Sequence, residues 1–92
     1  MIIRIMGEGQ YRVDSALFDT LNTIDNRIVE EVQKGNRQEY ERSLAELIGC
    51  IQREGRRIVD TELVESDIIV PPADMTLAEA RDVFKGTGIF EG

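Results

Sequence analysis
Between Asp14 and Gly55 the apolar residues recur at steps of three and four, interrupted once, and few folds accommodate such a pattern. In the first half, Leu17, Leu21, Ile24, Ile28 and Val32 follow one another at steps of 4, 3, 4 and 4. At 100° per residue they cover an arc of about 80° on a helix, and Phe18 and Val29 widen it to roughly 140°. That is broader than a two-helix seam needs, so the helix is expected to touch a sheet as well as a second helix. Either Asp14 or Ser15 can cap its start. Gly35 stops it after Lys34, supplying the left-handed residue that commonly follows a helix. Asn36 opens the next helix, with Glu39 three residues on as in a capping box. Tyr40, Leu44, Leu47, Ile48 and Ile51 share one face of it, and Gly55 ends it. So short a connection makes the two helices antiparallel neighbours. Each arm is then roughly 27–30 Å long, enough to span a small domain.

The flanks read as strands and one short helix. Residues 1–6 are apolar and β-branched, Gly7-Glu8-Gly9-Gln10 reads as a turn, and Tyr11-Arg12-Val13 as a return strand, so 1–13 form a β-hairpin. Tyr11 and Val13 share one face with Arg12 on the other, as in a half-buried strand. After the helices come Arg56-Arg57-Ile58-Val59 and a polar segment, then a strand over Asp67–Val70 that Pro71-Pro72 terminate. Thr76 and Glu79 form a capping-box pattern for a last helix over 76–85 containing Leu77, Ala80, Val83 and Phe84. Gly86 and Gly88 close that helix, and Ile89-Phe90 are the last apolar pair. The fold class expected is α+β, a single domain over 1–92 ordered β-β-α-α-β-α. In it a small sheet packs on the long helical hairpin of 15–54. The pattern leaves open whether the β-hairpin and the 67–70 strand share one sheet.

A chain of 92 residues buries only roughly 60–65% of its unfolded surface, so its stability has little margin. The usual staples are absent: Cys50 is the only cysteine and there is no histidine, which excludes an internal disulfide and leaves no donor set for zinc. Oligomerisation remains, and a homo-oligomer, a dimer, is the expectation. The opening apolar run is too short for a secretory leader, and no run approaches the ~20 apolar residues of a membrane span. The expected location is the cytoplasm. Charge is unevenly spread. Residues 1–59 carry 10 acidic and 9 basic side chains, residues 60–92 carry 8 and 2, and the whole chain is −7. That balance repels phosphates and anionic lipids, so neither nucleic acid nor direct membrane insertion is expected. The one small basic cluster, Arg53, Arg56 and Arg57, reads as cations placed favourably at a helix C-terminus.

No catalytic constellation emerges. Cys50 has no histidine to activate it and lies near the apolar face of the second helix, as an inert thiol would. Asp25, Glu30 and Glu31 sit where helix-surface acids are expected. Gly7-x-Gly9 lacks the third glycine of a dinucleotide loop. Asp60, Glu62, Glu65 and Asp67 alternate acids through a loop without the glycine and terminal glutamate of a calcium site, and read as a solvated loop. The expectation is no enzyme, no cofactor and no metal. A ligand-sensing alternative would need a polar pocket between hairpin and sheet, lined by Asp25, Arg27 and Tyr11. A self-associating structural subunit is the third possibility.

Three stretches carry a resemblance. Met-Ile-Ile-Arg-Ile-Met-Gly-Glu-Gly-Gln-Tyr-Arg-Val at the start, Leu21-Asn22-Thr23-Ile24-Asp25-Asn26-Arg27, and Leu63 through Leu77 with its Pro71-Pro72-Ala73-Asp74-Met75 resemble the PspA-associated protein (PspAA) family of phage-shock-type envelope-stress systems. The resemblance implies a cytosolic accessory protein without enzymatic activity that acts with a PspA-like coiled-coil protein. It carries over no binding residues. The acidic final third suggests electrostatic docking on a basic helical partner, with Asp60, Glu62, Glu65, Asp67 and Asp74 as candidate partner-binding residues.

Overall fold
The apolar stripes of both long helices are buried against each other and against a sheet. The computed structural model of the chain describes residues 1–59, 61, 62, 64–85 and 88–90. Strands β1 (Ile2–Ile5) and β2 (Gly9–Arg12) form the N-terminal hairpin. A 3-10 turn at Ser15–Leu17 leads into α1 (Phe18–Lys34), and α2 (Arg37–Glu54) returns antiparallel to it. Strands β3 (Arg56–Arg57) and β4 (Ile68–Val70) and helix α3 (Leu77–Val83) follow. The result is α+β, with a four-stranded mixed sheet in the order β3-β2-β1-β4. β4 runs parallel to β1 in that sheet, pairing Ile3 with Ile68, Arg4 with Ile69 and Ile5 with Val70.

Local chemistry sets the helix ends as the sequence suggests. Asp14, rather than Ser15, is the first cap, its carboxylate accepting from Ala16 N–H at 2.9 Å. Gly35 adopts φ 71°, the left-handed conformation a side chain resists. Asn36 caps α2 through Glu39 N–H, and Thr76 with Glu79 completes a reciprocal capping box on α3. Other assignments differ from expectation, α1 itself beginning only at Phe18 after the 3-10 turn and β4 at Ile68. The return strand begins at Gly9, two residues early. The last helix is shorter than 76–85, because Phe84 already leaves helical geometry and turns its ring into the core. Arg56 and Arg57 are not helix-terminal cations but a short edge strand paired with Arg12 and Tyr11, and only Arg53 lies in the last turn of α2.

The helices cover one face of the sheet. Ile3, Ile5, Tyr11, Val13 and Val70 point into a cluster with Leu21, Ile28, Leu44, Leu47 and Ile51, closed by Phe84 and Phe90. The breadth of the α1 arc finds its use here, since Phe18 meets Phe90 edge to face at 6.0 Å. By alternation Ile2, Arg4, Gln10, Arg12 and Ile69 point to the opposite, open face. β3 and β4 occupy opposite edges, and the described residues between them lie over that open face as a strap. Ile58 N–H donates to Gln10 C=O at 2.9 Å. Gln10 Nε2 donates to Val64 C=O at 3.0 Å and Ser66 Oγ at 2.8 Å. Asp67 N–H reaches Ile2 C=O at 2.8 Å, while Ile2 N–H donates to the Asp67 carboxylate at 2.7 Å. Ile2, which by alternation faces away from the helices, is buried, and so is Ile58 at the start of the strap.

Two glycines of α2 and its exit separate two physical roles. Gly55 has an ordinary φ of −90°, yet a Cβ there would lie 2.6 Å from Ile51 O and 3.3 Å from Tyr11 Cβ. Gly49 sits mid-helix with open space around it. Gly55→Ala should therefore lose about 1–3 kcal/mol of stability, and Gly49→Ala should gain about 0.5–1 kcal/mol. Urea unfolding midpoints of the two variants check the opposite signs.

Candidate partner-binding surface
The strap carries three of the five acids that the sequence marks as candidates. Glu62 and Glu65 are exposed along it, and Asp67 ends it beside β1. Glu62 lies 3.6 Å from Arg12, with both side chains about half exposed, a pair that solvent screens to little net energy. Asp67 is exposed but already holds Ile2 N–H, so part of its hydrogen-bonding capacity serves the fold. Asp74 stands apart from these, in the loop between β4 and α3. It lines a cleft of about 450 Å³ with Arg37 and Glu41 of the first turns of α2 and with Met75, Thr76 and Leu77. The candidate Asp60 lies outside the described residues. The structure thus places Glu62, Glu65 and Asp67 on one segment and Asp74 on another.

Tyr40 ties that second loop to the hairpin. Its hydroxyl donates to Met75 C=O at 2.8 Å and its ring meets Phe84 at 6.5 Å. Burial, reinforced by the nearby Glu79 and Glu41 carboxylates, pushes the Tyr40 phenol up to about 12. Glu79 is held below the usual carboxylate range by the Thr76 backbone and hydroxyl, the same contacts that cap α3.

The supposed polar pocket of Asp25, Arg27 and Tyr11 is not assembled. Arg27 is half exposed and pairs with Glu46 of α2, and Tyr11 is buried beneath the sheet. Asp25 is the correction. It is no helix-surface acid but fully buried, accepting Ile89 N–H at 3.1 Å and Phe90 N–H at 2.7 Å. Desolvation raises its pKa, and the hydrogen bonds from Phe90 and then Ile89 offset part of the rise. A Cβ on Gly88, which has φ 83°, would meet its carboxylate at 2.5 Å. A signal was present in the sequence, because Asp25 sits four residues from both Leu21 and Val29, inside the apolar stripe. Cys50 is a buried free thiol. Among the described residues no group of three or more His, Cys, Asp or Glu is placed to hold a metal ion, and no helix is long and apolar enough to cross a membrane.

A model of the PspA-associated protein family matches residues 1–92. No curated protein and no solved structure matches the chain.

Two variants test the contacts that hold the loop and the C-terminal segment. Tyr40 has its pKa raised above the ordinary 10.0, so the stability its hydroxyl contributes is complete below about pH 10 and is lost as pH rises through about 12. Tyr40→Phe should cost about 1 kcal/mol at neutral pH, abolish the phenolate step near pH 12, and flatten the alkaline loss of stability. An ultraviolet absorbance titration with parallel thermal melts measures both. Asp25→Ala leaves the Ile89 and Phe90 amides without their acceptor and should destabilise by roughly 2 kcal/mol. Hydrogen exchange at those two amides should accelerate more than exchange in α2.

Proposed function
Since the chain belongs to the PspA-associated protein family, we propose that it is a non-catalytic accessory protein, an adaptor that binds a PspA-type coiled-coil membrane-stress effector and modulates the envelope-stress response. The whole-chain family match is the observation that carries this reading. The charge distribution supports it: residues 60–92 hold 8 acidic and 2 basic side chains, and the described acids Glu62, Glu65 and Asp74 are exposed. Such a surface attracts a basic helical partner and repels an anionic bilayer, which divides the labour between an adaptor and a membrane-binding effector. The action is placed in the cytoplasm, and the adaptor is taken to self-associate as a homodimer.

Electrostatic docking has a measurable signature. Mixed with the PspA-type protein of its own genome, the chain should form a complex at low salt whose affinity falls as salt rises. Glu62→Lys, Glu65→Lys and Asp74→Lys combined should weaken it at least about tenfold, whereas reversing the exposed hairpin acids Glu30 and Asp19 should change it little. Light scattering across a salt series reads both the complex and any change in the partner's own assembly. No complex at any salt, with no effect on that assembly, overturns the reading.

A further inference from the structure
Strand register gathers three arginines that lie far apart in the sequence. Arg12 of β2 stands directly opposite Arg56 of β3, their Cα atoms about 5 Å apart. Like charges so placed repel each other and destabilise a sheet. Arg4 is opposite Gln10, which makes it the diagonal neighbour of Arg12 at about 7–8 Å. Alternation turns all three side chains to the open face, and all three residues are exposed. Among the described residues the one ion pair they make is Arg12 with Glu62 of the strap, at 3.6 Å. Beside Arg12 and Arg56, where α2 runs into β3, a cleft of about 670 Å³ opens against Val13, Ser15 and Gly55. The two acids of that cleft already have partners: Asp14 accepts from Ala16 N–H at 2.9 Å, and Glu54 lies 3.5 Å from Arg53.

We propose that Arg4, Arg12 and Arg56 form a docking face for an acidic protein segment, whose Asp or Glu side chains lie between the guanidinium groups, and that Glu62 occupies part of this face in the free chain. The chemistry of the group selects the ligand. A guanidinium presents a planar fork of N–H donors that fits a carboxylate two bonds at a time. A carboxylate between Arg12 and Arg56 also bridges a like-charge pair, so binding relieves a repulsion that the free sheet carries. Phosphate fits the same fork, but nucleic acid and anionic bilayers are continuous arrays of charge. Such arrays would meet Glu62 and Glu65 of the strap together with the arginines. A protein segment spaces its carboxylates and can set neutral or basic residues against the strap acids. The net charge of −7 opposes any anion at long range, but physiological salt confines that influence to about 8 Å. The strap already shows what fits: an acidic segment lies over this face, tied down by Gln10 Nε2 to Val64 C=O and Ser66 Oγ. Its hold on the arginines is loose, because the Glu62 contact is long and half exposed, so an incoming carboxylate displaces it readily. This face is separate from the acidic docking surface proposed above and stands independently of it, since Glu62 opposes an acidic partner and assists a basic one.

Fluorescence anisotropy of a labelled peptide of repeated Glu-Ala-Ala-Ala, at about 0.15 M salt, reads the face directly, with the same peptide carrying Gln for Glu as the blank. The Glu peptide should bind saturably below about 1 mM and the blank should not. Arg12→Gln combined with Arg56→Gln should weaken binding at least about tenfold, and Glu62→Gln should strengthen it about two- to fivefold by removing the resident carboxylate. Arg56→Gln should melt at or above the wild-type temperature, because it removes the like-charge pair, so its lost binding is not lost folding. No saturable binding of the Glu peptide, equal binding of the blank, or unchanged affinity in the double arginine variant overturns the face. Tighter binding to phosphatidylglycerol vesicles or to a single-stranded oligonucleotide than to the peptide overturns the acidic-protein assignment. Unchanged or weaker peptide binding by Glu62→Gln overturns the role of Glu62 as its occupant.

Discussion
The strand order governs the rest of the molecule. With β3 and β4 on opposite edges, the chain between them has to cross the sheet, and the helical hairpin already occupies one face. The strap therefore runs over the open face. Three consequences follow from that single constraint. Ile2, on the face away from the helices, is buried beside the end of the strap. The acids of the segment are displayed on the outside of the sheet, away from the helices. And Met6 and Ile69 stay exposed on that face, beside the exposed Arg4.

Closure of the core is equally physical. The hairpin supplies most of the buried apolar surface, but α1 has a wider apolar arc than α2 and the sheet consume. Phe90 and Phe84 come back to fill the difference, and Asp25 accepts the two backbone N–H groups that the returning segment would otherwise bury unpaired. A buried carboxylate is a costly device in a domain of this size, and its raised pKa records that cost. It is tolerated because unpaired amides in the same place would cost a comparable amount.

Much of the architecture was legible in the chain. Steps of three and four between apolar residues define both long helices. Gly35 and Asn36 make them a hairpin, and Thr76 with Glu79 announces α3. These features are local, and local chemistry decides them: a left-handed glycine, a side chain reaching an amide three residues away. The role of Asp25 was half legible, as an acid out of place in an apolar stripe, but its partners lie 64 and 65 positions away. The strand Arg56–Arg57 was illegible as a strand, since two arginines carry no alternating apolar signal and their pairing with Tyr11 and Arg12 is a long-range event. The exposure of Ile69 was equally hidden, because an Ile-Ile-Val run reads as buried on both sides.

By itself the sequence determined the fold class, the helical hairpin, the caps and the charge asymmetry, because each is written within a few residues or in the composition. The tertiary structure alone decided that Asp25 points inward, that Arg56–Arg57 pair with β2, and which strands form the edges of the sheet. Those outcomes depend on where strands far apart in the chain come to lie, and that is set by the packing of a whole sheet against a whole helical hairpin.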